Sequence, residues 1–227
     1  MPDEQELIDE IRETIIDGDD ATIQEVVAEA LSAGVDPQVV LSQGLMAGAD
    51  IVGQKFETGE FFLPELMLTG RALKAAMAIL EPALQAAYAG GAADKDTGVV
   101  VIATVQTDIH DIGKNIVSSM LTATGFEVHD LGVDVPIKTL VARAQEVNAD
   151  IIACSALLTT SMPVMRDLTN LLEAMGLRER FKVLVGGAPI TPEFVRQIGA
   201  DGTARNAMQA VQVAKQLIAS RPRVGAE

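Results

Sequence analysis

A histidine flanked by two aspartates marks the part of this sequence where a metal site is most easily built. Residues 106–115 read Q-T-D-I-H-D-I-G-K-N, so His110 lies two residues after Asp108 and directly before Asp111. An imidazole can bind a metal through one ring nitrogen while a carboxylate holds the N–H of the other. This arrangement fixes the tautomer and raises the basicity of the ligand. One interpretation is therefore that His110 binds a metal and that Asp108 orients it.

The other interpretation of the same segment is structural, because aspartates are also common where a helix begins. Asp108 or Asp111 would then cap the helix, and His110 would be exposed to solvent without a ligand. One histidine provides too few ligands for a bare metal ion. A metal bound here would have to arrive already coordinated, as it does in haem or a corrin.

Two later loops have compositions that suit a bound ligand. Residues 155–162 read S-A-L-L-T-T-S-M and are rich in hydroxyl groups and small side chains. Ser161 or Thr160 could equally cap the helix that follows. Gly186 and Gly187 permit close approach of a ligand to the backbone, or simply form a tight turn. Each loop, taken alone, leaves both interpretations open.

These three loops follow apolar, β-branched runs that alternate with helical patterns. The runs predict strands, buried on both faces, at 98–104, 126–131, 150–155, 181–185 and 201–204. Helices are predicted at 114–124, 137–147, 162–175, 192–198 and 207–219. The alternation predicts a doubly wound, parallel, five-stranded α/β sheet of the Rossmann or flavodoxin-like kind. Ligands bind such sheets beyond the carboxyl ends of the strands, where all three loops fall.

The first part of the sequence predicts an all-α domain. Apolar residues recur at helical spacing in four segments, at 4–17, 20–33, 37–52 and 64–80, with glycine or proline near their ends. Short connections between the segments predict an antiparallel four-helix bundle.

The charge distribution also divides the chain in two. Residues 1–90 carry 4 Lys and Arg against 17 Asp and Glu, whereas residues 91–227 carry 13 against 15. The change falls at the small-residue stretch Ala89-Gly90-Gly91-Ala92-Ala93. We therefore predict a helical domain at 1–90 and an α/β domain at 91–227.

Composition excludes several classes of function. The net charge of −15 and the 3% aromatic content argue against a nucleic-acid partner. No apolar run is long enough to span a membrane, and the acidic N-terminus does not resemble a signal peptide. One cysteine cannot form an internal disulfide framework, so we expect a cytoplasmic protein. One Cys and two His also exclude a zinc site built from a cluster of Cys and His ligands.

Taken together, the three loops resemble the signature of a known family of cofactor-binding domains. They give D-x-H-x-x-G, then S-x-L after 41 residues, then G-G after a further 28. This spacing resembles cobalamin-binding domains that hold the cofactor with its lower base detached. The stretches D-I-H-D-I-G-K-N-I-V and L-G-V-D-V-P look like the corrinoid proteins of methyltransferase systems. The residues around Gly44-Leu45-Met46, Phe56 and Phe62-Leu63-Pro64 resemble the helical cap of the methionine-synthase-like cobalamin module.

The resemblance implies a role for individual residues. His110 would be the lower axial ligand of cobalt, Asp108 would hydrogen-bond its imidazole, and Ser161 would complete that relay. The nucleotide tail would lie in a channel, and the cap would cover the upper face of the corrin. The residues implied at the cofactor, besides these three, are Asp111, Ile112, Gly113, Ser155, Leu157, Thr159, Gly186, Gly187, Phe62 and Leu66.

The function implied by the resemblance is that of a corrinoid carrier. Its cofactor would be methylcobalamin, cob(I)alamin or another corrinoid. It would shuttle a methyl group between a substrate-specific methyltransferase and a second methyltransferase acting on tetrahydrofolate or coenzyme M, with a reductive activase as a further partner. The chain itself shows no site that activates a methyl donor. The alternative is a cobalamin-binding regulatory or sensor protein that lacks its own catalytic module.

Overall fold

A computed structural model describes residues 3–88 and 97–220 of the chain. These residues form two compact units, a helical unit before the gap and an α/β unit after it. The predicted boundary stretch at 89–93 lies outside the described residues. No described helix is long and apolar enough to cross a membrane.

The helical unit contains the four predicted helical segments, one of which is more irregular than expected. Its helices are α1 (Glu4–Asp17), α2 (Thr22–Ser32), α3 (Pro37–Val39), a π-helical stretch (Val40–Met46), α4 (Ala47–Glu57) and α5 (Leu63–Tyr88). The third predicted segment thus corresponds to α3, the π-helical stretch and α4. The fourth is longer than predicted, because α5 continues past the internal Pro82.

The π-helical stretch and the start of α4 pack closely against α1. A Cβ atom on Gly44 would come within 2.7 Å of Ile11, and one on Gly48 within 2.8 Å of Ile15, so both positions need glycine. The Arg12 guanidinium on α1 donates two hydrogen bonds, of 3.1 and 2.9 Å, to the backbone carbonyl of Gln43. A side chain from a neighbouring helix therefore satisfies a carbonyl within the irregular segment.

The α/β unit contains the predicted sheet. Its strands are β1 (Val99–Thr104), β2 (Glu127–Asp130), β3 (Ile151–Ser155), β4 (Lys182–Gly186) and β5 (Gly202–Ala204). Its helices are α6 (Ile112–Ala123), α7 (Ile137–Glu146), α8 (Met162–Ala174), α9 (Pro192–Ile198) and α10 (Ala207–Ala219), and a 3₁₀ turn (Thr159–Ser161) precedes α8. All strand pairs are parallel and the spatial order is β2-β1-β3-β4-β5, which confirms the predicted fold class.

The position of a ligand site follows from that strand order. The central strands β1, β3 and β4 are almost wholly buried, as their β-branched sequences predicted. Helices α7, α8 and α9 cover one face of the sheet, and α6 packs with α10. The order of the strands reverses between β1 and β3. Parallel sheets of this kind bind ligands at such a reversal, in the crevice outside the carboxyl ends of the strands.

Candidate cofactor-binding site

The three predicted site loops meet at the carboxyl edge of the sheet. Strand register pairs Thr104 at the end of β1 with Ser155 at the end of β3, and Ser155 with Gly186 at the end of β4. The loops that follow these three residues therefore start side by side at the switch in strand order. The tertiary structure thus brings together strand ends that lie 51 residues apart (Thr104 and Ser155) and 31 residues apart (Ser155 and Gly186) in the sequence.

Asp108 is the central anchor of this edge. Its side chain is fully buried, and each carboxylate oxygen accepts two hydrogen bonds. Oδ1 accepts from the backbone N–H of His110 at 3.0 Å and bonds to the Nδ1 atom of the same residue at 2.7 Å. Oδ2 accepts from the backbone N–H groups of Leu157 at 2.7 Å and Leu158 at 3.0 Å. One carboxylate thus joins the loop after β1 to the loop after β3.

These hydrogen bonds keep Asp108 ionised. Burial by itself raises the pKa of the carboxyl, but the hydrogen bonds donated to it outweigh burial and lower the pKa from 3.8 to about 2. An ionised carboxylate can only accept hydrogen bonds, so Nδ1 of His110 must carry the proton. The lone pair of the imidazole is then on Nε2.

His110 presents this Nε2 atom to the outside. Its side chain is 48% exposed, and no group among the described residues hydrogen-bonds to Nε2. The Thr104 hydroxyl donates to the His110 carbonyl at 3.0 Å and fixes the main chain of the loop. The ring is thus oriented on one side and free to bind on the other, as a metal ligand requires. Asp108 does not cap the helix, because its carboxylate binds the His110 ring and the backbone N–H groups of His110, Leu157 and Leu158 instead.

Ser161 is joined to the site differently from the predicted relay. It is fully buried, but its hydroxyl bonds to the Thr107 hydroxyl at 3.0 Å, and its bonds do not include Asp108. The reason is that Oδ2 of Asp108, the oxygen turned away from the histidine, is already occupied by the two backbone N–H groups of the Leu157 loop. The hydrogen-bonded pair therefore consists of Asp108 and His110, and the Ser161 hydroxyl bonds to Thr107 instead.

The glycines at this edge differ in what surrounds them. Gly187 has φ +126°, and a Cβ atom there would lie 1.8 Å from the Ala156 carbonyl oxygen, so the position requires glycine. A Cβ atom on Gly186 or on Gly113 would have no neighbour within 4 Å. Gly187 is therefore required by close packing of the backbone, whereas Gly186 and Gly113 border open space.

Exposed apolar side chains surround the histidine. Ile109 is 73% exposed, and Val133, Leu157 and Leu158 are also exposed. Thr159 is exposed as well, and Ser155, the last residue of β3, is partly buried. Several exposed apolar side chains in the loops at the carboxyl edge of a sheet are typical of a ligand site rather than of ordinary protein surface.

Asp111 and its neighbours form a separate polar network. The Asp111 carboxylate accepts from the Asn115 amide at 3.2 Å, and Asn115 in turn accepts from Lys114 at 2.6 Å. Lys114, whose side chain is 2% exposed, also pairs with Asp130 at the end of β2. Ile112 is the first residue of α6 and is partly buried. The structure therefore places Asp111 in the anchoring of α6 to β2, not in contact with the His110 ring.

Sequence reasoning missed two residues that hold the His110 loop. Thr107 and Asp134 both have positive φ, of 73° and 53°, and the Thr107 N–H donates to the Asp134 carboxylate at 2.7 Å. The presence of Asp, which tolerates this conformation, in the sequence L-G-V-D-V-P was the one available signal. Its partner lies 27 residues away, beyond the reach of any local pattern.

The remaining predicted contacts lie in the helical unit. Phe62 is 64% exposed just before α5, and Leu63 and Met67 are exposed to the same extent. Leu66 is partly buried within α5. The surface around them is apolar and lies in a unit whose remaining surface is mainly acidic.

The donor atoms at the site suit a metal that brings its own ligands. No group of three or more His, Cys, Asp or Glu side chains within 3–88 and 97–220 could hold a bare ion. What the site offers is one oriented imidazole nitrogen, an apolar rim and open space beside Gly113 and Gly186. This combination fits a planar metal macrocycle with a long substituent.

Similarity to known proteins points to the same cofactor. One family model, described as a B12 binding domain, matches residues 98–212, and a second with the same description matches residues 7–81. Dimethylamine corrinoid protein 2 of Methanosarcina acetivorans is 45% identical over 218 residues, which cover 96% of this chain and 99% of that protein.

Solved structures extend this similarity to the fold. The monomethylamine corrinoid protein of Methanosarcina barkeri is 39% identical with a TM-score of 0.86, and the match covers 95% of this chain and 100% of that one. A chain of the methanol:cobalamin methyltransferase complex from Methanosarcina barkeri is 31% identical with a TM-score of 0.52. That match covers 95% of this chain and 80% of the other.

Proposed function

Because the chain belongs to the family of B12-binding corrinoid proteins, and so binds cobalamin or a related corrinoid, we propose that it carries methyl groups between two methyltransferases. The first would be specific for the methyl donor, and the second would act on tetrahydrofolate or coenzyme M. Relatives named for dimethylamine and monomethylamine make a methylated amine the first donor to test. A reductive activase is a further proposed partner. When bound, the corrin supplies the cobalt that accepts and releases the methyl group.

The observation that carries this proposal is the oriented, exposed imidazole of His110. We propose that its Nε2 atom is the lower axial ligand of cobalt and that the lower base of the cofactor is detached. The ionised Asp108 holds the proton on Nδ1 and so keeps the lone pair on Nε2. The same hydrogen bond fixes the orientation of the ring, which favours ligation through Nε2.

The detached nucleotide tail is proposed to enter the edge of the sheet between the loops after β3 and β4. Support comes from the open space beside Gly186 and from the exposure of Leu157 and Thr159, which lie in the facing loop. Ser155 lies where the two loops start, and Gly187 lets the backbone approach Ala156 closely. Gly113 leaves room for the edge of the corrin where α6 begins.

The helical unit is proposed to protect the upper face of the cofactor and to dock on the partner enzymes. Phe62 is two-thirds exposed although it is large and apolar, which favours contact with a bound group. Leu66 lies one turn further along the chain, within α5. The strongly acidic charge of residues 1–90 suits rapid, reversible docking on enzymes with basic surfaces.

Spectroscopy of the reconstituted protein tests the proposed ligand. Protein loaded with cobalamin and reduced to cobalt(II) should show nitrogen superhyperfine splitting from His110 in its electron paramagnetic resonance spectrum. His110→Ala should retain part of the cofactor through the tail site but lose this splitting, because water would replace the imidazole. His129→Ala is the matched control, since His129 lies on the edge strand β2 and bonds to Glu127 on the same strand and to Arg143 on α7. Unchanged splitting in His110→Ala would refute the assignment.

A further inference from the structure

Two residues near the histidine have backbone conformations that their side chains disfavour. Thr107, in the loop after β1, has φ 73°, and Asp134, in the loop after β2, has φ 53°. A β-branched residue with positive φ is a particular exception, because its side chain crowds the backbone there. Such conformations persist where surrounding interactions hold them, and they are concentrated at functional sites.

The two residues hold each other in place. The Thr107 N–H donates to the Asp134 carboxylate at 2.7 Å, and the Asp134 N–H donates to the Asp108 carbonyl at 3.0 Å. An isolated parallel bridge joins Val105 to Val135 directly beside them. We call the paired residues Thr107 and Asp134 the loop clasp. It ties the loop that carries His110 to the loop after the edge strand.

The clasp acts on the residue that orients the histidine. The Asp134 backbone N–H binds the Asp108 carbonyl, while the Asp108 side chain binds His110 and the loop after β3. Asp108 is thus held from two directions, and its carboxylate cannot shift without breaking one set of bonds. Asp134 itself makes no bond to the imidazole, so any effect on the ring must pass through Asp108.

We propose that Asp134 is a positioning residue for metal ligation by His110. This inference rests on the proposed function, in which His110 binds cobalt. By fixing the main chain at 107 and 108 before the cofactor binds, the clasp holds the imidazole in the ligating orientation. Less ordering is then needed on binding, which favours histidine over water as the axial ligand.

Two substitutions separate the hydrogen bond from the backbone conformation. Asp134→Gly and Asp134→Asn both tolerate positive φ, but only asparagine keeps an oxygen that can accept from the Thr107 N–H. Asn148→Gly is the matched control, because Asn148 has φ 52° and lies between α7 and β3, at the opposite edge of the sheet. It imposes the same gain in backbone freedom without touching the site.

We expect Asp134→Gly to increase the water-ligated fraction of cobalt(II) about tenfold relative to the histidine-ligated fraction, since it removes one charge-assisted hydrogen bond. Asp134→Asn and Asn148→Gly should give the wild-type spectrum. In the cofactor-free protein, the Thr107 amide should exchange with solvent about tenfold faster in Asp134→Gly and at the normal rate in Asn148→Gly.

The outcomes distinguish this inference from the proposed function. A wild-type protein without nitrogen splitting would remove His110 as the ligand and refute the proposed function itself. Wild-type splitting together with unchanged spectra in Asp134→Gly would overturn the positioning role alone. If Asp134→Gly does not fold, Asp134→Ala takes its place, because it also removes the oxygen that accepts from the Thr107 N–H. A larger water-ligated fraction in Asp134→Ala supports the role, and the wild-type spectrum overturns it.

Discussion

Replacing Asp108 by asparagine is the most direct test of the site geometry. The change exchanges one of two acceptor oxygens for an NH₂ group, while each oxygen of Asp108 faces two N–H groups. With its carbonyl toward Leu157 and Leu158, the new amide turns NH₂ toward the backbone N–H and the ring of His110. The opposite orientation sets NH₂ against two backbone N–H groups. The first orientation leaves fewer donors unsatisfied, so we expect that one.

This orientation has two measurable consequences. The amide NH₂ can satisfy the His110 ring only if Nδ1 becomes an acceptor, so the proton moves to Nε2 and the lone pair needed for metal binding is lost. The partly buried backbone N–H of His110 loses its charged acceptor, which costs about 2 kcal/mol. At roughly 2–4 °C per kcal/mol, the melting temperature of the cofactor-free protein should fall by roughly 4–8 °C.

The stability difference should depend on pH with a defined sign. The pKa of Asp108 is lowered from 3.8 to about 2 in the folded protein, so its contribution to stability is complete above the unfolded pKa. It is lost as the pH falls from 3.8 toward 2, where the folded carboxyl takes up its proton. The contribution of the Asp108 carboxylate to the difference between wild type and Asp108→Asn should therefore be complete above about pH 5 and shrink below about pH 4.

Thermal unfolding and nitrogen-15 spectra of the His110 ring measure these effects. Asp201→Asn is the matched control, because its carboxylate accepts from the Val183 N–H at 2.7 Å and from Arg178 at 2.8 Å at the amino edge of the sheet. It should lower stability and leave the His110 tautomer unchanged. An Asp108→Asn protein that keeps the proton on Nδ1 and melts at the wild-type temperature would refute the reasoning.

Three further changes test the tail channel, the cap and the docking surface. Gly187→Ala should lower the urea midpoint, because the new Cβ would lie 1.8 Å from the Ala156 carbonyl oxygen. Gly186→Ala, with no atom within 4 Å, should leave the urea midpoint unchanged but weaken cobalamin binding, and equal behaviour of the two variants would contradict the assigned channel. Phe62→Ala should keep its stability, since Phe62 is 64% exposed, while the methyl–cobalt bond photolyses faster; an unchanged photolysis rate would argue against a cap role. Methyl transfer from the cognate methyltransferase, at limiting carrier, should slow with salt because the Debye length shortens to about 3 Å at 1 M. A rate that stays flat with the cofactor bound would leave solubility as the role of the acidic charge.

The sequence by itself determined the elements and the identity of the metal-binding candidate. The β-branched runs at 98–104 and 150–155 predicted buried parallel strands, because residues on both faces of such strands must be apolar. Helix ends followed from nearby residues, as at Gly18, which ends α1 with φ 69°. The alternation of strands and helices then predicted a parallel, doubly wound sheet, so the sequence alone placed His110 at the carboxyl edge. Each of these inferences depends on neighbours within a few residues.

The tertiary structure alone decided which polar groups meet. Ser161 bonds to Thr107, 54 residues away, instead of to the Asp108–His110 pair, because backbone N–H groups already occupy the remaining Asp108 oxygen. The sequence also did not predict the clasp between Thr107 and Asp134. Nor did it predict the π-helical stretch, in which Arg12 binds the Gln43 carbonyl. The type of a residue determines how many hydrogen bonds its side chain can make. The partners of that side chain depend on which polar groups lie within reach, and compete for it, once the chain has packed.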